Sequence, residues 1–172
     1  LKMSLQPKQG GSGDGGLPGV RDWWAAYPFS CLEQQTSKAV GLRDGKLWQT
    51  VVANLPTYLD SDGLASYFPP RSGDANTGSD TLTAYLLAAT HEAAAINPAF
   101  ALPDEARAPM ERALIAFVEG RIQRNHWSPR KDLDMRKLAA IEALSRYGKA
   151  QGRMLGSITI APNQWPSHAV ID

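Results

Sequence analysis

Two side chains near the start of the chain could react with each other: the thiol of Cys31 and the carboxamide of Gln34. Cys31 is the only cysteine among the 172 residues. Residues three apart in a helix lie on one face, one turn from each other. A thiolate in that position can attack the carboxamide carbon, expel ammonia and leave an internal thioester, because the spacing raises the effective concentration of the two groups. The pair therefore predicts an activated acyl group that amines and water can open.

The residues around this pair predict the start of a helix. Ser30 and Glu33 have the spacing of a capping box, in which the serine hydroxyl accepts the Glu33 backbone N–H and the carboxylate reaches back. We therefore predict a helix over about residues 31–42, with Ser30 as the N-cap and Cys31 as the first helical residue. The positive end of the helix dipole would then lower the pKa of the thiol and favour thiolate. Glu33 could also polarise the site, although its capping role is sufficient to explain it.

Helices dominate the rest of the chain, and no segment is typical of a strand. Residues 1–16 are Gly-rich and predict a flexible segment, and residues 17–172 predict one helical domain. The apolar spacing predicts further helices over about residues 46–55, 79–95, 104–122, 132–148 and 150–158. A loop over residues 58–78, rich in turn formers, separates the first two helices from the others. The fold class is therefore all-α, built from helical hairpins.

Composition excludes several classes of function. The chain carries 18 basic and 17 acidic residues, for a formal net charge of +1, so it offers no electrostatic footprint for nucleic acid. No apolar run is long enough to span a bilayer. The His91-Glu92 pair lacks the second histidine of a zinc-binding helix, so we predict no metal and no cofactor.

Several other residues could contribute to the site, and Cys31 itself allows two other interpretations. Tyr27, held by Pro28, could cover the thioester or could simply pack at the start of the helix. His91, His126 and His168 fit surface or satisfied core positions best. Cys31 itself could be an inert, buried apolar residue in a helical interaction module. It could also be the nucleophile of a hydrolase paired with a distant histidine. Only the thioester chemistry needs the carboxamide of Gln34.

The sequence around Cys31 resembles the thioester signature of the α2-macroglobulin and complement family. Vertebrate members read G-C-G-E-Q at this signature, whereas bacterial α2-macroglobulins commonly read C-L-E-Q, as this chain does. The resemblance rests on "YPFSCLEQQTSKA" at residues 27–39 and extends to "LPGVRDWWAAYP", "SDTLTAYLLAATHEA" and "DLDMRKLAAIEALSRYG". It covers residues 17–172. Ser30 and Leu32 replace the two vertebrate glycines, and both replacements belong to the bacterial pattern.

The resemblance implies a fold, a function and a location. The thioester domain of this family is an α/α toroid of helical hairpins, and its members trap proteases rather than turn over a substrate. A lysine amine of the attacking protease opens the thioester, with Cys31 as the leaving thiol and Gln34 as the acyl carbon, and becomes covalently linked. Bacterial members resemble periplasmic lipoproteins anchored at the membrane. Partners would be target proteases and other domains of the parent protein.

The number of predicted helices gives a further expectation. About six helices are too few for a closed ring, so we expect the N-terminal half of the toroid. A half ring should expose apolar faces that its other half would cover, and a dimer through those faces is expected. The alternative is a half ring compact enough to stay monomeric.

Overall fold

The computed structural model describes residues 31–73, 76–124 and 130–158, and within them the chain is helical. The five α-helices are α1 (Leu32–Gly41), α2 (Gly45–Asn54), α3 (Asp80–Ile96), α4 (Asp104–Val118) and α5 (Arg130–Ser145). Short 3-10 helices follow at Leu55–Tyr58, Pro98–Phe100 and Gly152–Ser157. Apart from an isolated bridge between Leu59 and Ala65, these ranges hold no β-structure. The prediction of an all-α fold is confirmed for them.

The first two helices form the helical hairpin that the sequence predicts. The "RDGK" turn closes α1, because Arg43 takes a left-handed conformation with φ of 52° and Asp44 caps α2 by accepting the Leu47 N–H at 3.0 Å. The Asp44 N–H returns to the carbonyl of Ala39 at 2.9 Å. This turn packs α2 back against α1.

Helix α3 is the centre of the domain and packs against α1, α4 and α5. Its predicted start is confirmed, since the Ser79 side chain accepts the Leu82 N–H at 3.1 Å. The buried side of the helix is broad, because Thr83, Leu87 and Thr90 are buried together with Leu82 and Leu86. Thr81 and Glu92 remain exposed to solvent. The largest fully buried side chains of the domain are Trp48, Phe117, Leu32, Leu55, Leu64, Leu82, Leu86, Leu87, Met110, Leu114, Leu138 and Ile141.

Two predicted elements differ in the structure. Helix α4 ends at Val118, four residues before the predicted Ile122. Gly120 adopts φ of 79°, which only glycine tolerates easily, and the Arg121 N–H then turns back to the Ala116 carbonyl at 2.8 Å. The predicted short helix over residues 150–158 is a 3-10 helix. The predicted flexible segment, residues 1–16, lies outside the described residues.

The segment between the 3-10 helix after α2 and the start of α3 is a loop, as predicted, at its described residues 59–73 and 76–79, and we call these residues the site loop. Its base is held by backbone hydrogen bonds from Ser66 to the Tyr58 carbonyl and from Ser79 to the Ala65 carbonyl, both 2.8 Å. Its exposed end carries Tyr67 and Phe68, with 37% and 60% of their surface accessible. With Ile96, these are the large apolar side chains exposed in the described ranges. The site loop passes beside the N-terminus of α1.

Candidate functional site

The N-terminus of α1 begins one residue later than the sequence indicates. Cys31 is the N-cap, with an extended backbone at φ −74° and ψ 169°, and Leu32 is the first helical residue. The prediction that Ser30 caps the helix with Glu33 as its partner is therefore wrong. The capping box is instead formed by Cys31 and Gln34, which have the same three-residue spacing. The sequence contains two overlapping pairs with that spacing, and spacing alone does not choose between them.

The capping box holds the two candidate reactive groups against each other. The Cys31 backbone N–H donates to Oε1 of Gln34 at 3.1 Å. In the opposite direction, the Cys31 side chain accepts the backbone N–H of Gln34. The carboxamide is thus fixed on the Cys31 side of the first turn by its carbonyl oxygen, and the sulfur is fixed on the Gln34 side. Cys31 is half-buried and Gln34 is exposed, so the pair is open to solvent on one side.

A third hydrogen bond joins the site to the rest of the domain. The backbone N–H of Leu32, one of the donors that a helix cannot satisfy internally, donates to the Tyr67 carbonyl of the site loop at 2.9 Å. Leu32 itself is fully buried. The sequence could not indicate this contact, because the acceptor is a backbone carbonyl of a residue 35 positions away (67 − 32). The first turn of α1 is therefore capped from two sides, by its own side chains and by the site loop.

The neighbouring glutamine provides an internal contrast. Gln35 donates from Nε2 to the hydroxyl of Tyr58 at 3.1 Å, in a partly buried contact on another face of the helix. Its carboxamide is committed to the core side of α1, while the carboxamide of Gln34 shares the first turn with the Cys31 sulfur. Of the two adjacent glutamines, Gln34 alone takes part in the capping box.

Of the other predicted site residues, Glu33 and His91 are described by the structure, and neither belongs to this pair. Glu33 is exposed in the first turn, where its negative charge suits the positive end of the helix. His91 packs edge-on against Tyr147, with ring centroids 5.0 Å apart, in the fourth turn of α3. Tyr27 and Ser30 lie outside the described residues, as do His126 and His168.

Metal-ligand clusters and membrane-spanning helices are both absent from the described residues. The described residues contain no group of three or more His, Cys, Asp or Glu side chains suited to a metal ion. Among the same residues, no helix is both long and apolar enough to cross a bilayer. Within these ranges, the candidate chemistry is that of the thiol and the carboxamide.

Comparison of the chain with protein-family models, curated proteins and solved structures finds no match. A fold alone does not fix a function, because one helical scaffold can carry a reactive or an inert cysteine. What bears on function is therefore the arrangement of Cys31 and Gln34 at the start of α1, together with the resemblance of their motif.

Proposed function

We propose that the chain is the thioester-containing domain of a bacterial α2-macroglobulin-like protease trap. The observation that carries the proposal is the capping box of Cys31 and Gln34 at the start of α1, in which the Cys31 N–H donates to Oε1 of Gln34 at 3.1 Å. It brings the thiol and the carboxamide together in the same turn before any bond has formed between them. Such a trap would require a C-L-E-Q motif within a helical domain, and this chain has both.

Thioester formation needs only groups that this pair contains. The Sγ atom of Cys31 attacks Cδ of Gln34, an S–C bond forms, and the bond from Cδ to Nε2 breaks. The thiol proton leaves with the nitrogen as ammonia, so no oxidant or external acid is consumed. During the attack, negative charge develops on Oε1, the atom that the Cys31 N–H already contacts at 3.1 Å. A backbone donor aimed at a developing oxyanion is a well-known source of transition-state stabilisation.

Capture of a protease takes place at the same carbonyl carbon, Cδ of Gln34. A lysine amine of an attacking protease adds to Cδ, the S–C bond breaks, and an amide joins the two proteins while the Cys31 thiol is released. Because the acyl group is consumed, each molecule acts once, and the protein is an inhibitor rather than an enzyme. The α/α toroid, the periplasmic location of an anchored parent and the dimer of fragments belong to this same proposal.

One observation favours a second candidate function, a helical interaction module with an inert cysteine. The Cys31 sulfur and the Gln34 carbonyl both have a structural use, because together they cap α1. A capping residue needs no chemistry to explain its presence. The two candidates differ in what happens to the nitrogen of Gln34, which an inert cap retains.

Incorporation of a fluorescent primary amine tests the proposal. The wild-type chain, freshly prepared and treated with the amine, is expected to gain one label in the peptide that contains Gln34. Gln34→Ala should abolish the label, since it removes the acyl carbon. The matched control is Gln35→Ala, which removes the adjacent carboxamide and its contact with Tyr58 but should leave labelling intact. Equal labelling of the two variants would contradict the proposal.

A further inference from the structure

The site loop is anchored to the domain by a buried cluster of charges far from Cys31 in the sequence. One guanidinium nitrogen of Arg124, Nη2, donates to Oδ2 of Asp60 and to Oδ2 of Asp62, both at 2.8 Å. The same side chain donates from Nε to the Gly78 carbonyl at 3.1 Å. The side chain of Asp60 is 1% exposed and that of Arg124 is 14% exposed. Arg124 follows α4, so this cluster ties α4 to both ends of the site loop.

The Asp60 carboxylate also accepts hydrogen bonds from backbone N–H groups of the site loop. Its Oδ1 atom accepts the N–H groups of Asp62 and Leu64 at 2.9 and 3.1 Å, and its Oδ2 atom accepts the Gly78 N–H at 2.9 Å. A carboxylate that accepts several backbone N–H groups and a guanidinium is held by charge-assisted hydrogen bonds. The Asp60 side chain thereby holds both ends of the site loop. Leu64, one of the residues that it binds, lies three positions before Tyr67, whose carbonyl caps α1.

The cap from the loop gains importance when the thioester forms. In the open state, the Cys31 sulfur accepts the Gln34 N–H and Gln34 accepts the Cys31 N–H. Formation of the S–C bond takes the sulfur into the acyl linkage, where an atom that is already a weak acceptor becomes a poorer one. The bond from the Leu32 N–H to the Tyr67 carbonyl, 2.9 Å, involves neither of these side chains and can persist.

We propose that Asp60, Asp62 and Arg124 form an ionic clamp that positions the first turn of α1 for thioester chemistry, acting through the site loop and its Tyr67 carbonyl. These are positioning residues, because none of them touches Cys31 or Gln34. The inference rests on the proposed function and adds to it a control of thioester formation and lifetime from the other side of the loop.

Hydrogen exchange and mass spectrometry on the full chain test the clamp together. In Arg124→Gln, the Leu32 amide should exchange about tenfold faster, the scale expected when one hydrogen bond is lost. The thioester should also form to a smaller extent, or hydrolyse faster, at a temperature where the variant is fully folded. Arg124→Lys should recover part of both effects, since it keeps the charge. The milder variant Asp62→Asn, which removes one contact from a carboxylate that is 35% exposed, should shift both in the same direction.

Arg107→Gln is the matched control. Arg107 also pairs with a buried carboxylate, Glu111, at 3.2 Å, but it lies on α4, and it also contacts Asp104 and the Tyr147 ring, neither of which belongs to the site loop. It should leave the exchange of Leu32 and the thioester unchanged, even if it lowers global stability. If Arg124→Gln behaves like Arg107→Gln, the clamp is refuted.

The two proposals fail in different ways. If the wild-type chain loses ammonia at Gln34 but Arg124→Gln forms and keeps the thioester equally well, the clamp is refuted and the proposed function stands. If the wild-type chain never loses ammonia, the proposed function fails. Faster exchange of Leu32 in Arg124→Gln would then mark the cluster as a purely structural anchor, which overturns the clamp as a control of chemistry.

Discussion

Replacing Cys31 by serine is expected to abolish amine labelling at Gln34 without destabilising the domain. Serine keeps an acceptor at the N-cap, and its hydroxyl accepts the Gln34 N–H at least as well as a thiol does. The free energy of unfolding should therefore stay within about 1 kcal/mol of the wild type or rise. The serine hydroxyl remains protonated at neutral pH and does not displace ammonia. Labelling and a denaturant titration, measured on the same preparation, give both results.

Cys31→Ala separates the cap from the chemistry. Alanine has no acceptor, so this variant should lose the label and also lose about 0.5–2 kcal/mol of stability, as other N-cap deletions do. Labelling of Cys31→Ser at the wild-type level would show that the sulfur is not the reactive group. A domain that unfolds in Cys31→Ser would indicate a structural role for the thiol beyond capping.

The second large effect concerns the ion pair that joins α3 to α5. Arg136 donates from Nε to Oδ2 of Asp80 at 3.0 Å and from Nη2 to Oδ1 at 2.5 Å, and the two side chains are 11% and 3% exposed. The hydrogen bond to Asp80 raises the pKa of the Arg136 guanidinium, against the opposing effect of burial. Arg136→Met would leave the Asp80 carboxylate buried without these two donors. Its free energy of unfolding should fall by about 3–5 kcal/mol, the usual cost of breaking a buried pair from one side.

A more exposed ion pair, between α3 and the turn after α5, is the control. Arg146 of the turn after α5 lies 3.2 Å from Glu92 of α3, whose side chain is 71% exposed. Glu92→Gln should change stability by no more than about 0.5 kcal/mol, because solvent screens such pairs. The double variant Asp80→Asn with Arg136→Met should recover part of the loss by removing the stranded charge. A loss in Arg136→Met as small as that in Glu92→Gln would contradict the assignment of a buried, coupled pair.

Residues next to the helix ends predicted most of the helix boundaries, but not the end of α4. The end of α2 before Pro56, the start of α3 after Ser79 and the start of α4 at Asp104 each depend on one or two neighbouring residues, and each lies within one residue of its predicted position. The end of α4 was missed because the apolar pattern continues to Ile122, while the left-handed Gly120 decides the boundary.

The candidate site was predictable as a pair of residues but not as a geometry. The spacing of Cys31 and Gln34 is visible in the sequence, and the structure brings them into one capping box. Which of two overlapping boxes forms depends on where the backbone enters the helix, and this is set in part by the hydrogen bond from Leu32 to Tyr67. The contacts of Asp60 with Arg124 span 64 residues of sequence, and no periodic pattern connects them.

The fate of the Gln34 nitrogen is the most direct test of the thioester. The freshly prepared full chain would be weighed intact, its thiol counted, and the peptide containing Gln34 sequenced by mass spectrometry. The thioester predicts a chain short by one ammonia with a blocked thiol that methylamine releases. After opening by water, it predicts glutamate in place of glutamine at position 34, in the wild type but not in Cys31→Ser. A free thiol with an intact Gln34 carboxamide in every molecule, unchanged by methylamine, would contradict the proposed function.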